Sequence, residues 1–375
     1  MLRELKLKLF FLIFITLYSF LNYVIPNSVD YLVVTFVFCL LFTLANERRM
    51  LIFLSIPVFV YKSYCIVYLD PIGGNDEWVY YNYAVQFFTS DDAFSLLIDS
   101  FYIAYDRDIL SFISPLNGYI YHFFMVLSDS DSPKYIYILN TLFLYLSYLE
   151  LTKICDFKGL DVDKKLLVTF YLFSFYLSYL SSFYFKDILA TYLVILSVSL
   201  FVRKKQLLSL IVLCVASLYR VYSVAIFALY VLFFFQNKKL FIFAIISALT
   251  IVLMALPFSL KKIILLFGYL LLSPNPFSIE TYDEYFTPQL IESIIIAICV
   301  FFYFIKKETR DIIVLLIFSI IIYALTLYAV DTNLSLVRGE VFSKISENLY
   351  RKKLPIYPLI IFSLVICHKK SRMSK

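Results

Sequence analysis

Asp76 and Glu77 stand side by side directly after Gly73-Gly74-Asn75, and Trp78-Val79-Tyr80-Tyr81 follow at once. A carboxylate so placed can take a proton from an attacking hydroxyl. Tyr and Trp faces suit sugar rings, and they suit a lipid–water boundary equally well. Three cationic stretches complement this acidic pair. Lys186-Asp187 breaks a long apolar run in two. Arg220 lies between two short apolar runs, within Leu218-Tyr219-Arg220-Val221-Tyr222. Arg338, Arg351, Lys352 and Lys353 lead into the last apolar run. Arg binds phosphate oxygens as a two-pronged fork and Lys binds them as a point charge. Together these residue types can perform a transfer. A carboxylate, Asp76 or Glu77, accepts a hydroxyl proton. Lys186, Arg220, Arg338 and Arg351, with Asp187, Tyr222 and Trp78 around them, hold an anionic leaving group and the group being moved.

Other chemistries find less support. His122, in a short apolar segment, reads as a packed polar group rather than a base. Asp91-Asp92 and Arg107-Asp108 read as parts of amphipathic, surface-lying helices. The six cysteines lie singly in or beside apolar segments, with no metal or redox spacing. No cluster carries transition-metal ligand spacing, so neither a metal nor a cofactor is expected. A phosphate-binding glycine loop is absent from the sequence, which argues against ATP-driven transport by this chain alone.

The elements that must position these residues are membrane helices. The 375-residue chain is 62% hydrophobic and only 16% charged, whereas a soluble domain has roughly half apolar and a quarter charged residues. Apolar runs approach the ~20 residues that cross a bilayer core. They predict an all-α, polytopic integral membrane protein with about twelve transmembrane helices. The expected spans are 9–25, 29–45, 50–69, 135–152, 166–183, 188–202, 207–219, 221–235, 240–257, 289–305, 312–330 and 355–367. The first run follows Arg3, Lys6 and Lys8 but lacks a small-residue cleavage site, so it reads as a retained helix. A β-barrel would show short alternating segments instead. With only 6 Gly, helix packing through small-residue motifs is disfavoured, as are broken transporter helices.

With these spans the basic clusters fall on one side: the N-terminus, Arg48-Arg49, Lys164-Lys165, Arg203-Lys204-Lys205, Lys238-Lys239, Lys306-Lys307 with Arg310, and the tail. By the positive-inside rule that side is the cytoplasm, and both termini lie there. The net charge of +6 therefore reports orientation and not a nucleic-acid partner. Residues 116–127 are apolar but too short to cross, so they read as a re-entrant or interfacial piece within a long outer loop. The whole chain, 1–375, reads as one transmembrane domain with outer loops at 70–134, 258–288 and 331–354. Every candidate site residue falls on those loops or at the outer ends of helices. Lys and Arg on the outer side run against the orientation rule locally, which suggests selection for an anion.

At these residues the chain resembles the bacterial polymerases of surface-polysaccharide repeat units, those of O-antigen and capsule. More distantly it is similar to the glycosyltransferase C superfamily. Asp76-Glu77-Trp78-Val79-Tyr80 resembles the acidic–aromatic motif of that superfamily's first outer loop. Lys186-Asp187 looks like the Arg/Lys-Asp hairpin of polymerase-like proteins, and Leu218–Tyr222 looks like their Leu-x-Arg-x-Tyr stretch. Arg351-Lys352-Lys353-Leu354-Pro355-Ile356-Tyr357-Pro358 resembles their basic-then-Pro approach to the final helix. The short segment at 116–127 departs from the superfamily, where it would be a full span. This leaves open which of Asp76 and Glu77 matches its base.

The resemblance implies a metal-independent glycosyltransferase of the bacterial inner membrane. It would polymerise undecaprenyl-pyrophosphate-linked oligosaccharide repeat units at the periplasmic face. Its partners would be that lipid-linked oligosaccharide, membrane lipids and a chain-length-regulating protein. Two alternatives stay open: a transferase moving one sugar from a polyprenyl-phosphate donor, and a flippase for lipid-linked oligosaccharides.

Overall fold

The computed structural model describes residues 49–72, 75–107, 113–172, 174–183, 186–220, 222–235, 260–274, 283–330 and 351–373. The expected spans at 9–25, 29–45 and 240–257 lie outside these residues, as does Arg338 with the rest of 331–350. The described residues are helical, with no strand among them, as the all-α reading expects. In chain order the helices are α1 (Arg49–Tyr68), α2 (Asn75–Thr89), α3 (Ala93–Arg107), α4 (Ile113–Ser128), α5 (Ile136–Lys158), α6 (Lys164–Leu172) and α7 (Phe175–Leu180). They continue as α8 (Lys186–Val202), α9 (Gln206–Tyr219), α10 (Ser223–Phe235), α11 (Leu260–Leu272), α12 (Thr287–Ile305), α13 (Lys307–Val330) and α14 (Tyr357–Met373).

Among the described residues two helices are long and apolar enough to cross a membrane, Thr287–Ile305 and Lys307–Tyr328. Pro288 opens α12 at a position where its missing N–H costs nothing, and Glu308 meets the positive end of α13. The α12 helix turns Ile291, Ile295, Ile298, Phe301 and Phe302 outward, all at least half exposed. A stripe of that size is unfavourable in water and natural against lipid. The helices Gln206–Tyr219 and Ser223–Phe235, each expected as a span, run only 14 and 13 residues. Helix length alone therefore does not show each expected span to be a full crossing.

The chain separates into two compact units, 1–145 with 177–189, and 146–176 with 190–375. In the first, α2 packs against α3 and α4. Gly118 of α4 permits a close approach to α2. A Cβ there would stand 2.4 Å from Tyr83 Cβ and 2.9 Å from the Ala84 nitrogen. In the second, α13 is the hub and touches α10, α11, α12 and α14.

Two segments differ from expectation. The run at 166–183 is interrupted after Leu172 and becomes α6 and α7. The segment 258–288, expected as an outer loop, contains the apolar helix α11.

Candidate functional site

In the first unit the acidic–aromatic motif forms the start of α2. Glu77 is buried at 2% exposure, Trp78 is half exposed, and Tyr80 is buried. The side chain of Asp76 lies outside the described residues. Glu77 and Tyr80 are three residues apart and share one face of the helix. Lys186 is the first residue of α8, and its Nζ stands 5.8 Å from the centre of the Tyr80 ring. That is within cation–π reach. Asp187 follows, 2% exposed, in the first turn of α8, where the helix dipole favours negative charge. Tyr80 and Lys186, more than a hundred positions apart in sequence, are thus brought together, with the buried Glu77 on the helix face of one and the buried Asp187 next to the other. Charge buried like this is retained only where it is compensated, which makes it a candidate for chemistry.

The turn leading into Lys186 is fixed by a residue that the sequence did not single out. Asn140 of α5 is 1% exposed, and its Nδ2 donates to the carbonyls of Ser181 (3.1 Å) and Phe183 (2.8 Å). Its neighbour Thr141 accepts a hydrogen bond from Lys62 Nζ at 3.0 Å, and Tyr137 donates its hydroxyl to the Cys65 carbonyl at 2.7 Å. Lys62 is 2% exposed within α1. A lysine in the middle of the 50–69 run was the available signal for it. His122 behaves as a packed polar group. It is 5% exposed, hydrogen-bonded to the Tyr119 carbonyl of its own turn, and ringed by Phe87, Tyr119 and Phe123.

In the second unit Arg220 ends α9 in extended conformation, φ −149° and ψ 115°, and α10 restarts at Ser223. This is the hinge expected between the two short runs. Arg220 is partly exposed and Tyr222 is buried. Lys352 Nζ lies 5.0 Å from the centre of the Tyr222 ring. Tyr222 in turn stands 6.3 Å from Tyr323, whose hydroxyl donates to the Lys352 carbonyl at 2.8 Å. The arginine–tyrosine stretch and the basic turn before the last helix therefore meet, and Arg351 is partly exposed on that turn. Lys353 is different: it is 0% exposed, and burial pushes its ammonium down from 10.5 to about 8, with Glu292 opposing the shift.

Glu292 of α12 is another residue that the sequence reading passed over. Its carboxylate accepts from the Ser174 hydroxyl (2.7 Å), the Tyr176 N–H (3.0 Å) and the Tyr357 hydroxyl. Among the described residues no group of three or more His, Cys, Asp or Glu side chains could hold a metal ion. No protein-family model matches the chain, and no curated protein or solved structure does either.

Proposed function

We propose that the chain joins oligosaccharide repeat units carried on undecaprenyl pyrophosphate, at the outer face of a bacterial inner membrane. In this reading it is a multi-pass protein of about twelve spans with both termini in the cytoplasm. One observation carries the proposal. Each compact unit gathers two of the stretches expected to do the chemistry: Glu77 and Tyr80 with Lys186-Asp187, and Arg220-Tyr222 with Arg351-Lys352.

The roles follow from the residue types. A hydroxyl of the incoming unit attacks the anomeric carbon of the growing chain. The new glycosidic C–O bond forms as the bond from that carbon to the pyrophosphate oxygen breaks. Undecaprenyl pyrophosphate leaves with the electron pair, and the hydroxyl proton passes to Glu77 or Asp76. In the second unit Arg220, Arg351 and Lys352 are the cations suited to stabilise the charge that develops on a leaving pyrophosphate, and in the first unit Lys186 is a cation suited to a phosphate oxygen. Trp78, half exposed, offers a face on which a sugar ring can stack, while the buried Tyr80 and Tyr222 rings face Lys186 and Lys352.

The test is the surface-glycan profile of a strain lacking the gene, with and without wild-type or Arg220→Ala copies. The proposal expects the ladder to vanish, a single repeat unit to remain on its lipid, and only the wild-type copy to restore the ladder. Normal-length polymer in the deletion strain overturns the proposal. Normal-length polymer from a membrane-inserted Arg220→Ala protein removes the role given to Arg220.

A further inference from the structure

The three adjacent cations of the basic turn do different things. Lys352 extends over the Tyr222 ring, and Arg351 is partly exposed. Lys353 is wholly buried, and its Nζ reaches three acceptors: the Ser293 Oγ at 2.9 Å, the Ser273 carbonyl at 3.2 Å and the Leu271 carbonyl at 3.4 Å. An ammonium has three donors, so Lys353 has none left for a ligand. The rings of Tyr176 and Tyr357 flank it at 5.3 and 5.6 Å.

The rest of the turn is held as firmly. The Lys352 carbonyl accepts from Tyr323, and the Pro355 carbonyl accepts from the Tyr230 hydroxyl at 3.0 Å. Tyr357 donates its backbone N–H to the Lys353 carbonyl at 3.0 Å. Its hydroxyl bonds Glu292 and lies 2.9 Å from the Ser174 hydroxyl. Contacts from α10, α11, α12, α13 and the residues between α6 and α7 converge on a few residues of backbone.

We infer that Lys353 is a positioning residue: it binds no ligand itself, but locks the 351–356 turn so that Arg351 and Lys352, beside Tyr222, are preset to receive the pyrophosphate of a lipid carrier. The inference rests on the reading above and adds to it a division of labour within one basic cluster. Fixing the backbone beforehand removes ordering cost from binding, and a fixed charge stabilises a leaving group better than a mobile one. A lysine suits the position because two carbonyls and a hydroxyl converge there, and no apolar side chain satisfies them.

The experiment uses the full chain in detergent, titrated calorimetrically with farnesyl pyrophosphate, with farnesol and inorganic pyrophosphate as controls. Wild-type protein is expected to bind farnesyl pyrophosphate and not farnesol. Inorganic pyrophosphate should bind more weakly with the same dependence on the variants. Arg351→Ala and Lys353→Met are each expected to weaken binding about tenfold. The double variant should be no weaker than the weaker single, since Arg351 contributes only where Lys353 has placed it. Lys353→Met removes all three hydrogen bonds at once, and Ser293→Ala provides a milder probe that removes one acceptor, with a loss of about threefold expected. Wild-type affinity in both Lys353→Met and Ser293→Ala overturns the inference and leaves the polymerase reading standing. Fully multiplicative losses in the double variant, or equal binding of farnesol, overturn it as well. Retained glycan polymer in the deletion strain overturns the polymerase reading whatever the titrations give.

Discussion

The buried Lys353 makes a prediction with a sign and a size. Its ammonium lies two residues before the last expected span, at 0% exposure, and burial lowers it from 10.5 to about 8. Below pH 8 the lysine is charged in both the folded and unfolded chain, and the cost of burying that charge is constant. Between about pH 8 and 10.5 the unfolded chain keeps the proton and the folded chain has lost it. The unfolded state then binds more protons, so stability rises with pH through this window. At 1.36 kcal/mol for each pH unit of displacement, the gain from pH 7 to pH 10 is about 2 to 3 kcal/mol. Lys353→Met removes the titrating group. At pH 7 the variant sheds the buried charge, which stabilises it, and it takes a donor from the Leu271 and Ser273 carbonyls, the second of which keeps the Ser293 hydroxyl, at a cost of about 1–3 kcal/mol in all. The two effects nearly cancel, so wild type and variant should melt within a few degrees of each other at pH 7. The assay is thermal unfolding of the detergent-solubilised chain at pH 7 and pH 10. Tyr and Cys groups also titrate at the higher pH, so the difference between wild type and variant is the quantity to read. Wild type should gain on the variant by several degrees at pH 10. Parallel pH profiles would refute the burial of a charged Lys353, and a collapse of the variant at pH 7 would refute the near-cancellation.

Other outcomes follow from the geometry. Gly118→Ala places a methyl against Tyr83 Cβ and the Ala84 nitrogen. It should destabilise the purified chain by about 1–3 kcal/mol, and an unchanged melting temperature would contradict the packing of α2 on α4. Asn140→Leu leaves the Ser181 and Phe183 carbonyls without their donor. The expected loss is about 1–3 kcal/mol in a melt of the purified chain, and wild-type stability would show that the Lys186 turn is held by other means. Glu77→Gln and Lys186→Met should each abolish polymer while the protein remains in the membrane, as read on a glycan gel with a membrane blot. A normal ladder from both would remove the first-unit cluster from the chemistry.

Part of this architecture was legible in the residues. Run length and apolarity located α1, α8, α9, α10 and α12 to within two residues, because a long uninterrupted apolar segment has few alternatives to a helix, while α5, α13 and α14 run five or six residues past an expected end. The break at Arg220 was visible as a charge between two short runs, and it is realised as one extended residue. Lys186-Asp187 was visible in the same way and begins α8. The segment 258–288 hid α11, because its prolines and carboxylates gather in its second half and colour the whole stretch as loop.

The division of labour within Arg351-Lys352-Lys353 was not legible at all. Three consecutive cations look alike in a sequence. Which one is buried depends on acceptors 60 to 82 positions away that only the packed helices bring together. Glu292 escaped for the same reason, since its partners Ser174 and Tyr357 lie 118 and 65 residues distant. Lys62 is the opposite case. It stood in plain view inside an apolar run, where a charge is expensive enough to demand an explanation.

The most direct test of the proposed reaction is reconstitution. Purified full-length protein in vesicles would be given lipid-linked single repeat units extracted from the deletion strain, with no nucleotide sugar added. The account predicts a ladder of joined repeats and release of one polyprenyl pyrophosphate for each bond formed. Repeat units that stay single, or that lengthen by one sugar only when a polyprenyl-phosphate sugar is supplied, would contradict it.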